Sequence, residues 1–161
     1  MTPTVLSLRI LALAMPLVFI AHVLEELPRF VAWFNGLVNP PISQAAFLSV
    51  NATALAITII VAILVATIHD TLFGLIGVAW VGFLMLANGL FHIVATVALS
   101  RYCPGVATAT VLYLPFSVLF IRAVVREFGL NSPVTSSVAL LAGIPMYIHG
   151  YLIVFRGGRL F

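Results

Sequence analysis

Five apolar stretches, each long enough to cross a lipid bilayer, restrict this chain more than any other feature. They lie near residues 5–27, 46–68, 72–99, 105–126 and 134–155. A membrane-spanning helix needs about 20 apolar residues, and the alternating pattern of a transmembrane β-barrel is not seen. The chain is 63% hydrophobic and 7% charged, whereas soluble domains are about 25% charged. We therefore predict an all-α, polytopic membrane protein: a bundle of five transmembrane helices in one domain, residues 1–161.

The charged residues indicate topology and argue against a nucleic-acid surface. There is no lysine, and seven arginines accompany four acidic residues, too few and too scattered to bind nucleic acid. We call the membrane side of the N-terminus side A and the opposite side side B. Side A then holds Arg9, Arg122 and Arg126, and side B holds Arg29, Arg101, Arg156 and Arg159. By this small margin the positive-inside rule favours a cytoplasmic side B, in a membrane of the bacterial inner type.

Three of the four histidines are expected at one depth in the bundle. His22, His92 and His149 lie on the first, third and fifth stretches, which run in the same direction. Each is five to seven residues from the side-B end, or roughly 8–11 Å inside it. A single intramembrane histidine often only hydrogen-bonds a neighbouring helix, but three at one depth indicate a common site. The fourth, His69, precedes Asp70 in a short side-A turn, where solvation explains both.

Other polar residues reach the same layer from the remaining stretches. Glu25 and Glu26 end the first helix, where solvated charges before a helix stop are the simplest explanation. Carboxylates oppose the macrodipole at a helix C-terminus, however, which argues for a further role. Asn88 lies four residues before His92 and shares its face, so we expect it to orient a neighbouring group. The layer is completed by Asn51, Tyr102, Thr108 and Thr110.

The spacing of these groups suits a metal ion. His22 is three and four residues from Glu25 and Glu26, similar to the Glu-x-x-His spacing of di-iron bundles. The predicted ligands, which suit zinc or iron, are His22, Glu26, His92 and His149. Glu26 is favoured over Glu25 because a four-residue step turns only about 40°. Glu25 would then contact Asn51, Tyr102 or an arginine, or act as a general base on water. Without a metal, the same residues describe an acid/base site.

Three short motifs resemble those of a known family. "HVLEE" at 22–26, "NGLFH" at 88–92 and "YCPGVATA" at 102–109 match H-x-x-E-E, N-x-x-x-H and Y-x-P-G-x-x-T-A of the HXXEE family. Its members are small multi-spanning membrane proteins that are suspected of being enzymes. The resemblance implies a site formed by His22, Glu25, Glu26, Asn88, His92, Tyr102, Pro104, Gly105 and Thr108, but it supplies no reaction. We expect "YCPG" to be a turn that directs Thr108 toward the site.

Three classes of function are compatible with these residues. The first is a metal-dependent intramembrane enzyme that acts on a lipid or isoprenoid. The second is a metal-free acid/base isomerase or cyclase, and the third is a small proton-coupled transporter or assembly subunit. The side-A half offers few polar groups, which favours a site open to one side over a transport path. The expected partners are the lipid bilayer and a lipid-like small molecule, with a homo-oligomer left open.

Overall fold

The computed structural model describes residues 7–157, and they form a helical bundle. The helices are α1 (Leu8–Glu26), α2 (Phe30–Asn35), α3 (Gln44–Thr67), α4 (Thr71–Ala98), α5 (Val106–Phe128), α6 (Ser132–Ala142) and α7 (Ile144–Arg156). No strand occurs within the described range, so the all-α prediction is confirmed. The predicted start of the first helix at residue 5 and the side-B residue Arg159 lie outside the described residues.

Four of these helices are long and apolar enough to cross a membrane by themselves. They are α1, α3, α4 and α5, and the pair α6–α7 supplies a fifth span if it is counted as one helix bent by 46°. The bend falls at Gly143, two residues before Pro145, which cannot donate a backbone hydrogen bond. In the α3 span only 22% of the residues are buried. Most of its surface is therefore left for lipid, as expected for a membrane bundle.

Two helices contain a stretch of π-helix, which the sequence did not reveal. One occupies Gly82–Ala87 in the middle of α4, immediately before Asn88. The other occupies Ala109–Tyr113 in α5, immediately after Thr108 and two residues before Pro115. A π-helical turn holds one residue more than an α-helical turn, so each stretch changes the direction in which the rest of its helix faces. Both stretches therefore adjoin predicted site residues.

Small residues allow close packing on the side-A half of the bundle. A Cβ atom at Gly77 would lie 2.9 Å from the ring of Phe120, and one at Gly82 would lie 2.3 Å from the backbone oxygen of Ala139. The interior here is mostly apolar. The buried hydroxyls of Thr58, Ser117 and Thr135 donate to backbone carbonyl oxygens, and the indole of Trp80 donates to Thr58 at 3.0 Å. This half therefore offers little polar lining.

The turns at the two ends of the bundle differ in kind. On side A, Asp70 caps α4 by accepting a hydrogen bond from the amide of Leu72, and His69 lies 3.5 Å from Glu127. On side B, the long first loop contains α2, and the side chain of Asn35 holds Ile42 through both of its backbone polar groups. The α2 segment thus closes over the side-B end of the bundle.

Candidate functional site

The last turn of α1 supplies the first two side chains of the site. His22 and Glu26 are four residues apart and so share one face of the helix. Both are buried, with 1% and 5% of their surfaces exposed, and the Nε2 atom of His22 lies 3.7 Å from the Oε1 atom of Glu26. Glu25 points in another direction because adjacent helical positions are about 100° apart. The two neighbouring carboxylates therefore have separate surroundings.

Helix α4 brings a second imidazole to the same carboxylate. His92 is fully buried, and its Nε2 atom lies 3.2 Å from the Oε1 atom of Glu26. The rings of His22 and His92 meet edge to face with their centroids 4.8 Å apart. One ligand atom from each of these three residues lies within 4.8 Å of the other two. The contact of His92 with Glu26 lacks hydrogen-bond geometry, which leaves this buried Nε2 atom without a hydrogen-bond partner.

Glu25 is held by the turn between α4 and α5. Its Oε1 atom accepts hydrogen bonds from the hydroxyl of Tyr102 and from the amides of Gly105 and Ala107, at 3.0 and 3.2 Å for the amides. Its Oε2 atom accepts from the amide and the hydroxyl of Thr108, at 2.7 and 2.5 Å. Five donors directed at one carboxylate stabilise its ionised form. The hydrogen bond to this anion in turn raises the pKa of Tyr102 to about 12.

The hydroxyl of Thr108 connects Glu25 to His22 and sets the tautomer of the ring. The Oγ1 atom lies 2.5 Å from Glu25 and 2.8 Å from the Nδ1 atom of His22. A hydroxyl has one hydrogen and an ionised carboxylate can only accept, so Thr108 donates to Glu25 and accepts from His22. Donation to the Gly105 carbonyl oxygen, 3.2 Å away, would give the same result for His22. Neutral His22 therefore carries its proton on Nδ1, and the lone pair of Nε2 faces Glu26.

Cys103 holds the other histidine in a similar way, although the sequence analysis did not single it out. Its buried Sγ atom lies 3.2 Å from the Nδ1 atom of His92 and donates to the carbonyl oxygen of Pro104 at 3.8 Å. Burial raises the pKa of the Cys103 thiol to about 12, so the group stays protonated. When its hydrogen is donated to Pro104, the sulfur accepts from Nδ1 of His92. In that arrangement His92 also directs the Nε2 lone pair toward Glu26. The place of Cys103 within the Tyr-Cys-Pro-Gly motif was the available signal.

Gly105 and Tyr113 fix the two rings from the α5 side. Gly105 has a φ angle of +100°, and a Cβ atom there would lie 2.6 Å from the Cε1 atom of His92 and 2.9 Å from that of His22. Only glycine satisfies both the left-handed backbone and the lack of space. Tyr113 stacks on His22 with a centroid distance of 4.1 Å, and its buried hydroxyl has no hydrogen-bond partner. Tyr113 carried no signal in the sequence beyond its aromatic character.

Asn88 lies beside the cluster, as its position before His92 suggested. Its side-chain amide nitrogen lies 3.2 Å from the Nε2 atom of His22. An amide N–H donates to the lone pair that the tautomer of His22 leaves on this nitrogen. Asn88 therefore contacts His22 on the neighbouring helix and faces the same carboxylate region as His92.

A cavity of about 310 Å³ adjoins the cluster on the side away from the Tyr-Cys-Pro-Gly turn. This volume is within the range of small-molecule sites, about 300–1,000 Å³. His22, Glu26 and Asn88 contribute to its wall, whereas His92 and Glu25 do not. Six phenylalanines dominate the remaining surface: Phe19, Phe30, Phe34, Phe47, Phe83 and Phe91. The cavity thus reaches the cluster at His22 and Glu26.

The structure does not bring His149 into the group of converging ligand atoms. The group found among the described residues contains three members, not the predicted four. His149 instead contributes to the cavity wall from α7, and its side chain is exposed. The neighbouring Gly150 packs closely on the ring of Phe91 on α4. With α7 packed in this way, His149 lies in the cavity wall. Of the other predicted layer residues, Asn51 lines the cavity, whereas the hydroxyl of Thr110 is exposed and donates to its own helix.

Comparison with known proteins agrees with the three motifs. The model of the HXXEE family, described as "Protein of unknown function with HXXEE motif", matches residues 13–120. This range includes His22, Glu25, Glu26, His92 and Thr108 and ends before His149. No curated protein and no solved structure matches the chain. The matched range covers well over half of the sequence, and the chain therefore belongs to the HXXEE family.

Proposed function

We propose that this protein is a metal-dependent enzyme of the membrane that acts on a lipid-like substrate, with His22, Glu26 and His92 as the metal ligands. The supporting observation is that three acceptor atoms meet in a buried space. In the tautomers given above, the Nε2 atoms of both histidines direct lone pairs at a carboxylate. Among the described residues, an N–H group of Asn88 contacts the Nε2 atom of His22, and none contacts that of His92. Lone pairs that face each other repel unless a cation lies between them. A metal ion would supply that cation.

The distances suit a zinc or iron ion. Tetrahedral ligands about 2.0–2.1 Å from Zn²⁺ lie roughly 3.3 Å from one another. The two nitrogen-to-oxygen distances are 3.7 and 3.2 Å, and all three ligand atoms lie within 4.8 Å of one another. The imidazoles would therefore have to move closer together to complete the geometry. Two histidines and one carboxylate also form the ligand set of catalytic zinc sites and of non-haem iron sites, both of which keep a position open. Because His22 and Glu26 line the cavity, we place that open position there.

The surrounding residues would prepare these ligands in defined ways. The Glu25–Thr108 pair holds the Nδ1 proton of His22, and Cys103 holds that of His92, so both Nε2 atoms carry the lone pair that a metal needs. At His22, the metal ion would take the place of the N–H group of Asn88. A bound ion would act as a Lewis acid on a substrate oxygen at the cavity wall. Glu25 does not reach the cavity and already accepts five hydrogen bonds, which argues against the general-base role considered from the sequence. In this proposal Glu25 is a positioning residue.

A metal-free acid/base enzyme is the second candidate, favoured by the 3.2 Å contact of His92 with Glu26. In that case a proton shared by the two residues would replace the metal ion. The transporter hypothesis has less support because the side-A half of the bundle has a mostly apolar interior. The arginine count remains the basis for placing the site near a cytoplasmic face of a membrane of the bacterial inner type.

Metal analysis of the purified protein tests the proposal. We expect stoichiometric zinc or iron in the wild-type protein and loss of this metal in His22→Ala and His92→Ala. His69→Ala is the matched control, because His69 also lies near a glutamate but at the opposite end of the bundle. If the wild-type protein binds neither Zn²⁺ nor Fe²⁺ after incubation with each ion, the metal-dependent function is wrong and the acid/base function takes its place.

A further inference from the structure

We infer that the cavity binds an uncharged lipid, one that carries a hydroxyl or carbonyl oxygen, and that Asn51 and His149 hydrogen-bond this oxygen. The inference rests on the proposed function for the position of the reacting group, but it is drawn from the charges and polar atoms of the cavity wall. It excludes lipids with a phosphate or carboxylate in the cavity as substrates.

The wall contains no residue suited to an anionic headgroup. Phosphates and carboxylates are recognised by arginine, lysine or clustered backbone amides. The chain has no lysine, and none of the arginines in the described part of the chain lines the cavity. The guanidinium of Arg101 instead lies over the ring of Trp33, 5.5 Å from its centroid. An anion in this cavity would therefore lack a guanidinium or ammonium partner.

A bound metal ion would not provide the missing positive charge. Glu26 is in contact with the proposed metal position, and the ionised Glu25 lies behind His22. Together these two carboxylates balance the two positive charges of Zn²⁺ or Fe²⁺. The site would then be neutral overall, and burial of a further unpaired charge in apolar surroundings is strongly unfavourable. A neutral oxygen can bind a Lewis acid without adding charge.

Two polar side chains of the cavity remain available for such an oxygen. Asn51, on α3, donates one N–H of its amide to the carbonyl oxygen of Phe47 at 3.0 Å. This leaves its Oδ1 atom as an acceptor for a hydroxyl and its second N–H as a donor to a hydroxyl or carbonyl oxygen. His149, on α7, contributes an exposed imidazole to the same wall. Neutral imidazole offers one donor and one acceptor. The rest of the wall beyond the cluster is largely aromatic and aliphatic, as an acyl or isoprenoid chain requires.

Photolabelling in lipid nanodiscs tests this inference without a known reaction. The probe is a long-chain fatty alcohol that carries a diazirine and an alkyne, and the competitors are hexadecanol, palmitate and hexadecyl phosphate at neutral pH. We expect saturable labelling of peptides from α3 or α7. Hexadecanol should compete about tenfold better, or more, than the two anions, because their charges would be unpaired in the cavity.

Variants connect the labelling to the named residues. Asn51→Leu and His149→Leu should each weaken competition by hexadecanol about two- to tenfold, as expected for the loss of one neutral hydrogen bond. Thr53→Val, an exposed position on the same helix as Asn51, should change nothing. Equal competition by the anions, or unchanged competition in both leucine variants, would overturn the inference.

The metal content of the same samples separates this inference from the proposed function. Loss of alcohol selectivity in a protein that retains its metal would overturn the inference alone. Selective alcohol binding in a protein that binds no metal would overturn the proposed function and keep the inference. His149→Leu should also retain the metal, because His149 is not one of the converging ligands.

Discussion

The two ends of this bundle each place histidine beside glutamate at a similar distance, yet the two sites differ strongly in burial. On side A, His69 and Glu127 are 3.5 Å apart and their side chains are 74% and 37% exposed. On side B, His22 and His92 approach Glu26 with all three side chains at most 6% exposed. Exposed pairs of this kind contribute about 0–1 kcal/mol to stability, whereas an uncompensated buried charge costs several kcal/mol. Burial, not residue type, therefore distinguishes the candidate site from the solvated turn.

The largest expected effect is on metal binding when the glutamate at each end is replaced. Glu26→Gln should abolish metal binding, because an amide is a poor substitute for a buried anionic ligand. Glu127→Gln should retain the full metal content. Metal analysis of both variants beside the wild-type protein measures this. Equal metal content in the two variants would remove the distinction between the ends.

A second test compares two neighbouring carboxylates on side B. Glu25 adjoins Glu26 in sequence, but in our proposal it is not a metal ligand. Glu25→Gln replaces one acceptor oxygen by an amide group and removes the charge that orients Thr108. We expect metal affinity to fall about 10- to 100-fold, as for other groups that orient metal ligands. Competition with a chelator of known affinity gives this value. An affinity loss as complete as that of Glu26→Gln would show that Glu25 binds the metal directly.

Alanine substitutions at Gly105 and Gly129 should reduce stability by different amounts. Both have positive φ angles, but a Cβ atom at Gly129 meets nothing within 4 Å, whereas one at Gly105 meets both imidazoles. Gly129→Ala should cost about 1 kcal/mol from backbone strain alone. Gly105→Ala should cost about 2 kcal/mol or more, because strain and overpacking add. Thermal unfolding in detergent compares the two, and equal losses would contradict the packing of Gly105 on the rings.

The smallest expected effect is the titration of Tyr102. Its neutral form donates to Glu25, which raises the pKa of Tyr102 from 10.0 to about 12. The contribution of this hydrogen bond to stability is thus fully present below pH 10 and is lost as the pH rises through about 12. Ultraviolet difference titration of wild type and Tyr102→Phe gives the value. In Glu25→Gln the pKa of Tyr102 should return toward 10, and an unchanged value would place the cause elsewhere.

Much of the helical architecture follows from the sequence because apolar length is a direct signal. The third stretch was predicted at 72–99 and α4 occupies Thr71–Ala98. The pairing of His22 with Glu26 followed from four-residue spacing, and the structure places the two side chains together. The similar predicted depth of His22 and His92 also agrees with the structure, in which both contact Glu26. These features depend on local geometry that any helix shares.

Other features depend on tertiary contacts that a single sequence does not encode visibly. The motif at 102–109 marks the turn that holds Glu25, but it does not show that the amides of this turn donate to Glu25 or that Cys103 contacts His92. His149 lines the same cavity as His22 but is not in the ligand group, because a predicted depth does not specify the direction in which α7 faces. The bend of 46° before α7 decides that direction.

The π-helical stretch Gly82–Ala87 has a consequence for how this chain tolerates changes in length. Its extra residue lets Gly77 face Phe120 on one side of α4 while His92, farther along, faces Glu26. A change that restored regular α-helix without shortening the chain would turn His92 by about 100° relative to Gly77. Deletion of one residue from the stretch would restore regular helix and keep both faces in place. In this stretch, deletion of one residue should therefore disturb the orientation of His92 less than a substitution that converts the π-helix to α-helix.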